Sequence, residues 1–327
     1  MPENSDLKLF ISAAHGMLRT RPMAWLAVRG PDAFAFLQGQ CTQDLRPLKE
    51  GELAPALWLN TKGRIQAESL VLRAADPDGN PLWWLWSAHS AGESLRSRLE
   101  EFIIADDVTV SAEESAWEQV SLAGPEAEAW LREAAPGAPP PAPGAWTRFG
   151  GGLLFHGRRG LPRSWEWLRP VSGTAPAASL SAASQVSLPA LPELSLVALH
   201  RARLAAGVPA IPGEFGPQDL PQEAGLEESA VSFQKGCYLG QEVMARLHAM
   251  GQVRRRLLRV AGPGPAPAAP LELRQNDKRI GELRSTADDG RGGWIGLAML
   301  NLLGLALATP LLTADQHAVH VLDPLHP

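Results

Sequence analysis

Apolar residues fall along this chain in short runs of strand length, separated by glycine, proline and polar turns, with a few stretches at helical spacing. "AWLAVRG" (24–30) and "PLWWLWSA" (81–88) are apolar runs with the length and content of buried strands. Between them, "LAPALWLNTKGRIQAESLVLRA" predicts two strands around a turn at Thr61-Lys62-Gly63. "PDAFAFLQGQ" (31–40) reads as a helix, with Pro31 and Asp32 suited to its start. Ser90 and Glu93 form an S-x-x-E capping box, and Leu95, Leu99, Phe102 and Ile103 fall at i, i+4, i+7 and i+8 on one helix face. "DVTVS" follows as a strand.

Further on, "ELSLVALHRARLAA" (193–206) predicts another helix, capped by Gly207 and prevented from continuing by Pro209. After Val253 strand signals dominate in "VRRRLLRV", "LELRQ", "RIGELRS", "WIGLAML" and "AVHVL", which predicts a small all-β unit, a barrel. Strands mixed with amphipathic helices and followed by this unit imply an α+β protein. The stretch between Arg291 and Asp315 carries no charge and is long enough to span a bilayer. However, Gly292, Gly293, Gly296, Asn301, Gly304 and Pro310 divide it into pieces of strand length, so two buried strands joined by a turn are expected. Runs rich in proline, alanine and glycine at 134–145, 171–183 and 261–270 read as loops.

Composition narrows the picture. A chain of 327 residues can build two or three domains. Its net charge of −5 recruits neither nucleic acid nor an anionic membrane, leaving only a local contact at Arg254-Arg255-Arg256. Two cysteines, Cys41 and Cys237, do not make a disulfide framework and fall short of the ligand set of a stable iron–sulfur cluster. "MPENSDLK" lacks a signal-peptide layout, so a reducing cytoplasm is expected, and nothing demands an oligomer.

The chemistry concentrates in "FQKGCYLGQE" (233–242). Gln241 and Glu242 suit the first turn of a helix that would carry Val243, Met244 and Leu247. Cys237 would then sit just ahead of a helix N-terminus with Lys235 two residues away, and both features favour thiolate over thiol. Gly236 and Gly240 remove side-chain bulk on either side of it. The competing reading makes Cys237 a small, semi-buried filler. Cys41 reads as a buried small side chain.

Lys235, Gly236, Cys237, Tyr238, Gly240, Gln241 and Glu242 match in full the signature K-G-C-[FY]-x-G-Q-E, and the chain thereby resembles the YgfZ family of folate-binding proteins. Pro221-Gln222 and Ala206-Gly207-Val208-Pro209 match further family elements; Gln38, Gly39, Gln40, Thr42 and Asp44 match its "QGQ-x-T-x-D", and "KGRI" (62–65) the turn after it. The resemblance implies a GcvT-like, three-lobed (cloverleaf) folate-binding body over residues 1–250, with an N-terminal lobe to about 111 and a middle lobe over 112–250, and a C-terminal β-barrel over 251–327. It also implies tetrahydrofolate or a derivative as cofactor, and iron–sulfur client enzymes (tRNA-thiolating ones included) or assembly proteins as partners. Trp25 is expected as a stacking wall for the pterin, and Arg203 matches an arginine of the wider family's folate site. His200, one turn before Arg203, is expected to face solvent.

That wider family includes the aminomethyltransferase (T protein) of glycine cleavage. Its paired acids after the glycine turn are replaced here by Gln66 and Ala67, with Glu68 offset by a residue. A one-residue slip on a strand reverses the face, so an accessory folate-binding factor is the preferred reading over a tetrahydrofolate-dependent transferase or a bare scaffold.

Overall fold

The computed structural model describes residues 4–158, 160–171, 186–251 and 253–323. The chain opens with α1 (Asn4–Ala13), β1 (Gly16–Thr20), β2 (Ala24–Arg29) and α2 (Ala33–Gln40). Strands β3 (Leu53–Leu59), β4 (Ile65–Ala75) and β5 (Pro81–Ser87) lead to α3 (Gly92–Glu100) and β6 (Thr109–Ala112). Next come β7 (Trp117–Ala123), α4 (Pro125–Ala134), β8 (Trp146–Phe149), β9 (Gly152–His156) and β10 (Ser164–Pro170). Helices α5 (Leu196–Ala205), α6 (Glu227–Ala230) and α7 (Gln241–Met250) follow. The last strands are β11 (Arg255–Pro263), β12 (Leu271–Gln275), β13 (Lys278–Asp288), β14 (Gly293–Asn301), β15 (Leu311–Leu312) and β16 (Ala318–Val321).

Two five-stranded antiparallel sheets, β3-β4-β5-β2-β6 and β1-β7-β10-β9-β8, form the body, and β11-β14-β13-β12-β15-β16 close into a barrel. This is the α+β architecture expected, with the barrel in place. The uncharged stretch supplies β14 and β15 of that barrel. Among the described residues no helix is long and apolar enough to cross a membrane. The loop run at 171–183 lies outside the described residues except for Val171, and β11 continues into the start of the run at 261–270. Strand β1 pairs with β7, so residues 16–20 belong to the second sheet rather than to the first. Helix α1 was not legible in the sequence; its Leu7 and Phe10 pack with Leu204 of α5 and with Ile295 and Leu297 of the barrel.

The first sheet is covered on both faces, which is why its strands read as unbroken apolar runs. On one face Leu26, Val28, Trp83 and Leu85 meet Phe36 and Leu37 of α2 and Leu95 and Leu99 of α3. On the other, Trp25, Ala27, Trp84 and Trp86 meet Trp117, Leu153, Phe155 and Leu168 of the second sheet. The capping box is not formed: α3 starts after Ala91, and the Ser90 hydroxyl accepts from Glu68 N at 3.0 Å and donates to Ile211 O at 2.9 Å. Tertiary partners thus take the oxygen that a local cap requires. Phe102 and Ile103 pack on the same core from just beyond the helix end.

Trp25, expected as a stacking wall, is packed in the core. It is fully buried, its ring stacked on Trp84 at 4.2 Å and 4°, with Trp117 edge-on to both at 5.6 Å. Large aromatic pairs of this kind dominate core energetics. Trp25→Ala is therefore expected to lower the unfolding free energy by about 3–5 kcal/mol, read by urea denaturation. A loss under about 1 kcal/mol would mean that the ring is not packed as described.

Candidate functional site

Residues 231–240 form the loop between α6 and α7, and Cys237 is exposed on it. The loop is anchored by a side chain that points away from the surface. Lys235 is only 5% exposed, and its ammonium donates to the carbonyls of Gln38 at 2.7 Å, Cys41 at 2.8 Å and Gln43 at 2.7 Å. Ser232 N–H donates to Thr42 O at 2.9 Å and Leu239 N–H to Gly39 O at 3.1 Å. Two motifs separated by nearly two hundred residues are thus one unit: the 38–44 turn supplies acceptors and the cysteine loop supplies donors. Gln38 and Asp44 brace the turn, with Gln38 Nε2 donating to Asp44 Oδ1 at 2.9 Å and Leu45 N–H to Gln38 Oε1 at 2.8 Å. Arg46 holds the Asp44 carboxyl well below the usual carboxylate range through its hydrogen bonds.

This corrects the electrostatic expectation for Cys237. The Lys235 charge is directed inward, 4.0 Å from the buried Cys41 sulfur, and burial lowers its pKa. Burial pushes the Cys41 thiol up, against the opposing pull of Lys235. Helix α7 begins only at Gln241, so Tyr238, Leu239 and Gly240 separate the thiol from the first turn. Tyr238 is buried beneath the loop with the Lys235 ammonium 5.1 Å from its ring centroid, and burial pushes its phenol up to about 12. Gln241 is half-buried and Glu242 exposed.

Gly240 has a more specific task than freeing the sulfur. With φ +85° it caps α7, and a Cβ there would lie 2.7 Å from Asn60 O and 3.2 Å from Gly63 Cα. Gly63, at φ +70°, would in turn drive a Cβ to 2.9 Å from Val243. The "KGRI" turn and the start of α7 therefore meet backbone to backbone, a contact that only glycine permits at these angles. Gly236 has open space around it, which leaves the flank of Cys237 accessible.

A cavity of about 460 Å³ opens near the junction of the two sheets, lined among others by Leu57, Glu68, Trp86, His89, Arg158, Val208, Ile211 and Ala230. Trp86, rather than Trp25, is the tryptophan on its wall; its Nε1 donates to Gln119 Oε1 at 3.1 Å. Glu68 also lies on the wall, where Ser87 Oγ donates to Oε1 at 2.5 Å. Simple counting along the strand placed Glu68 off the site. Pairing of Leu57 with Glu68 and of Leu59 with Ile65 shows why it is not: β4 carries one extra residue, a bulge at Gln66, which brings Ile65 and Glu68 to the same face. Arg158 was not singled out in the sequence, although "GRRG" (157–160) between two strands was the available signal. It is held to Ser229 Oγ at 3.2 Å, and burial lowers its pKa while the charge of Glu68 opposes that shift.

Arg203 is not among the cavity-lining residues. It is 4% exposed and donates to Glu214 at 2.5 and 2.6 Å and to Val208 O at 2.7 Å. Through Val208 O it holds the Gly207–Pro209 turn, which does line the cavity. His200 does not face solvent freely: it bridges Arg203, at 2.9 Å, and Thr286 O of the barrel, at 3.1 Å. Arg255 is occupied by Glu223 and Asp219, which breaks up the basic run at 254–256. Among the described residues no group of three or more His, Cys, Asp or Glu side chains is placed to hold a metal ion.

Residues 11–139 match the GCVT N-terminal domain, and residues 254–326 match the CAF17 C-terminal beta-barrel domain. Together with the architecture, these matches define a GCVT-like body that carries a CAF17-type barrel. The chain is 29% identical over 296 residues to the iron-sulfur cluster assembly factor IBA57, mitochondrial, of Mus musculus, covering 85% of this chain and 75% of that protein. It is 27% identical over 281 residues to the tRNA-modifying protein YgfZ of Cronobacter sakazakii, covering 82% of this chain and 80% of that one. Its fold is similar to that of the glycine cleavage system aminomethyltransferase T from Bartonella henselae, with a TM-score of 0.77 at 20% identity over 97% of this chain and 88% of that chain.

Removing the Lys235 ammonium leaves three inward carbonyls without their donor. Lys235→Met is expected to destabilise the fold by about 3 kcal/mol in chemical denaturation, while Cys237→Ser changes stability by less than about 0.5 kcal/mol. Glu214 sets an acid limit. Burial alone would raise its carboxyl, but the hydrogen bonds and charge of Arg203 outweigh burial and hold it below its ordinary value of 4.5. Its contribution is complete above that ordinary value and is lost as pH falls through the folded one. Melting temperature should therefore drop as pH is taken below that ordinary value of 4.5, and Glu214→Gln should flatten that dependence.

Proposed function

We propose that this protein is a folate-binding accessory factor that supports the assembly or repair of iron–sulfur enzymes, tRNA-modifying ones included, with Cys237 as its working thiol. The observation that carries the reading is the separation of duties in the motif. Lys235, Tyr238 and Gly240 are structural, each turned into the protein, and together they hold the one exposed cysteine beside an open glycine. A thiol kept outside by an inward-facing frame is suited to meeting a partner rather than to packing. The printed names of the relatives, an iron-sulfur cluster assembly factor and a tRNA-modifying protein, support the same class of partner. A free, exposed thiol also suits a reducing cytoplasm.

The cavity fits tetrahydrofolate or a derivative in size and chemistry. Its volume of about 460 Å³ lies in the range of small-molecule sites. Trp86 offers an apolar ring wall, Glu68 a carboxylate acceptor for ring N–H groups, and Arg158 a cation for a carboxylate. When bound, a reduced folate supplies a carrier for one-carbon units. This chain's own residues bind and orient: Ser87 fixes the Glu68 carboxylate, Gln119 fixes Trp86, and Ser229 fixes Arg158.

One observation favours a second reading. Glu68 stands on the cavity wall, so an acid is present where sequence counting found none, and aminomethyl transfer to tetrahydrofolate regains a candidate proton-handling group. Three measurements separate the readings. Titration with tetrahydrofolate, followed by the fluorescence of the eleven tryptophans, is expected to give a micromolar dissociation constant, about −8 kcal/mol. The absence of binding would leave only a scaffold. Mixing with the other glycine-cleavage components is expected to give no aminomethyl transfer; turnover that disappears in Glu68→Gln would establish the transferase instead. In cells lacking the protein, Cys237→Ser is expected to abolish rescue of iron–sulfur enzyme activity while folate affinity stays unchanged.

A further inference from the structure

The cavity and the cysteine loop share one buried residue. Thr42 is fully buried and uses every polar atom it has. Its N–H donates to Leu57 O at 3.1 Å and its carbonyl accepts from Ser232 N–H at 2.9 Å. Its hydroxyl donates to Ala230 O at 2.5 Å and accepts from Leu57 N–H at 2.9 Å. Leu57 and Ala230 line the cavity, whereas Ser232 lies in the loop that carries Cys237. The carbonyls on either side of Thr42, those of Cys41 and Gln43, accept from Lys235, two residues before the thiol. A parallel connection runs from Arg158 on the cavity wall to Ser229 Oγ at 3.2 Å, and from Ser229 O to Gln43 Nε2 at 3.3 Å.

The element between cavity and loop is α6, only four residues long. One turn of helix cannot hold itself in water, so its position is set by the contacts around it. Those contacts come from two sides: the cavity wall through Ala230 and Ser229, and the 41–43 turn through Thr42 and Gln43. Every polar group of Thr42 has a partner, so a continuous hydrogen-bonded connection joins the two sides.

We propose that α6 and Thr42 couple the cavity to the Cys237 loop, so that the accessibility of the sulfur differs between the filled and the empty cavity. The proposal rests on the folate reading of the cavity and makes Thr42 a positioning residue. It would restrict exposure of the working thiol to one ligand state.

The test is the alkylation rate of Cys237 by iodoacetamide, read by peptide mass spectrometry, with and without saturating 5-formyltetrahydrofolate. Wild-type protein is expected to change its rate by about fivefold or more on ligand addition, the lower end of ordinary site-to-site coupling. Thr42→Val, which keeps the shape and removes the hydroxyl, should reduce that change to less than about twofold while still binding ligand. Thr42→Ser, which restores the hydroxyl, should recover it. A merely structural Thr42 would alter melting temperature without altering the ligand-dependent change. Ligand that binds with no effect on the wild-type rate overturns the coupling and leaves the folate reading intact. Full coupling retained in Thr42→Val removes Thr42 from the path. No ligand binding in the titration overturns the folate reading and this coupling with it.

Discussion

One ammonium group closes this structure around its site. Lys235 brings its charge out of water and is compensated by three backbone carbonyls, those of Gln38, Cys41 and Gln43. A buried cation is costly unless fully hydrogen-bonded, and carbonyls supply acceptors without adding a counter-charge. This requirement fixes the 38–44 turn against the 231–240 loop and thereby determines where Cys237 emerges. The same arrangement explains why the lysine cannot also serve the exposed sulfur: its hydrogen-bonding capacity of three donors is already filled.

The rest of the body is arranged so that this junction meets the cavity. Two sheets press a tryptophan-rich face between them, with Trp25, Trp84 and Trp117 forming a solid block and Trp86 left at its border. Arg203 and Glu214 hold the turn after α5, and His200 ties that helix to the barrel. The glycine contact between the 60–64 turn and α7 completes the frame from below. Glu68, Arg158 and the indole of Trp86, three of the groups that line the cavity, are each braced by a neighbour rather than left to find their position on binding. Preorganisation of this kind lowers the ordering cost of holding a ligand.

Much of the architecture was legible along the chain because burial leaves a periodic trace. Continuous apolar runs at 24–30 and 81–88 are what a doubly covered sheet requires, and the glycine after α5 and the turn around Gly63 were readable from local backbone demands. The motif around Cys237 was visible as a pattern of residue types, and its exposure followed from polar, small neighbours. Helix α1 was not visible, because its apolar residues match partners in α5 and the barrel that only the folded chain brings near.

Side-chain direction was beyond the sequence wherever a long-range partner decided it. Local sequence assigned the Ser90 hydroxyl to a helix cap, yet Glu68 and Ile211 claim it. The family resemblance placed Trp25 on a ligand, yet Trp84 lies flat against its ring. Local sequence turned Glu68 away, yet a single extra residue at Gln66 turns it back, since strand faces alternate with period two and one bulge inverts everything beyond it. It set Lys235 beside Cys237, yet the ammonium found three carbonyls almost two hundred positions upstream. Sequence by itself determined which segments are strands and helices, where the backbone needs glycine and which cysteine is exposed, because those follow from local sterics and hydrophobic period. Tertiary structure alone decided which polar atoms meet, because a buried hydrogen bond depends on distance in space and is blind to separation along the chain.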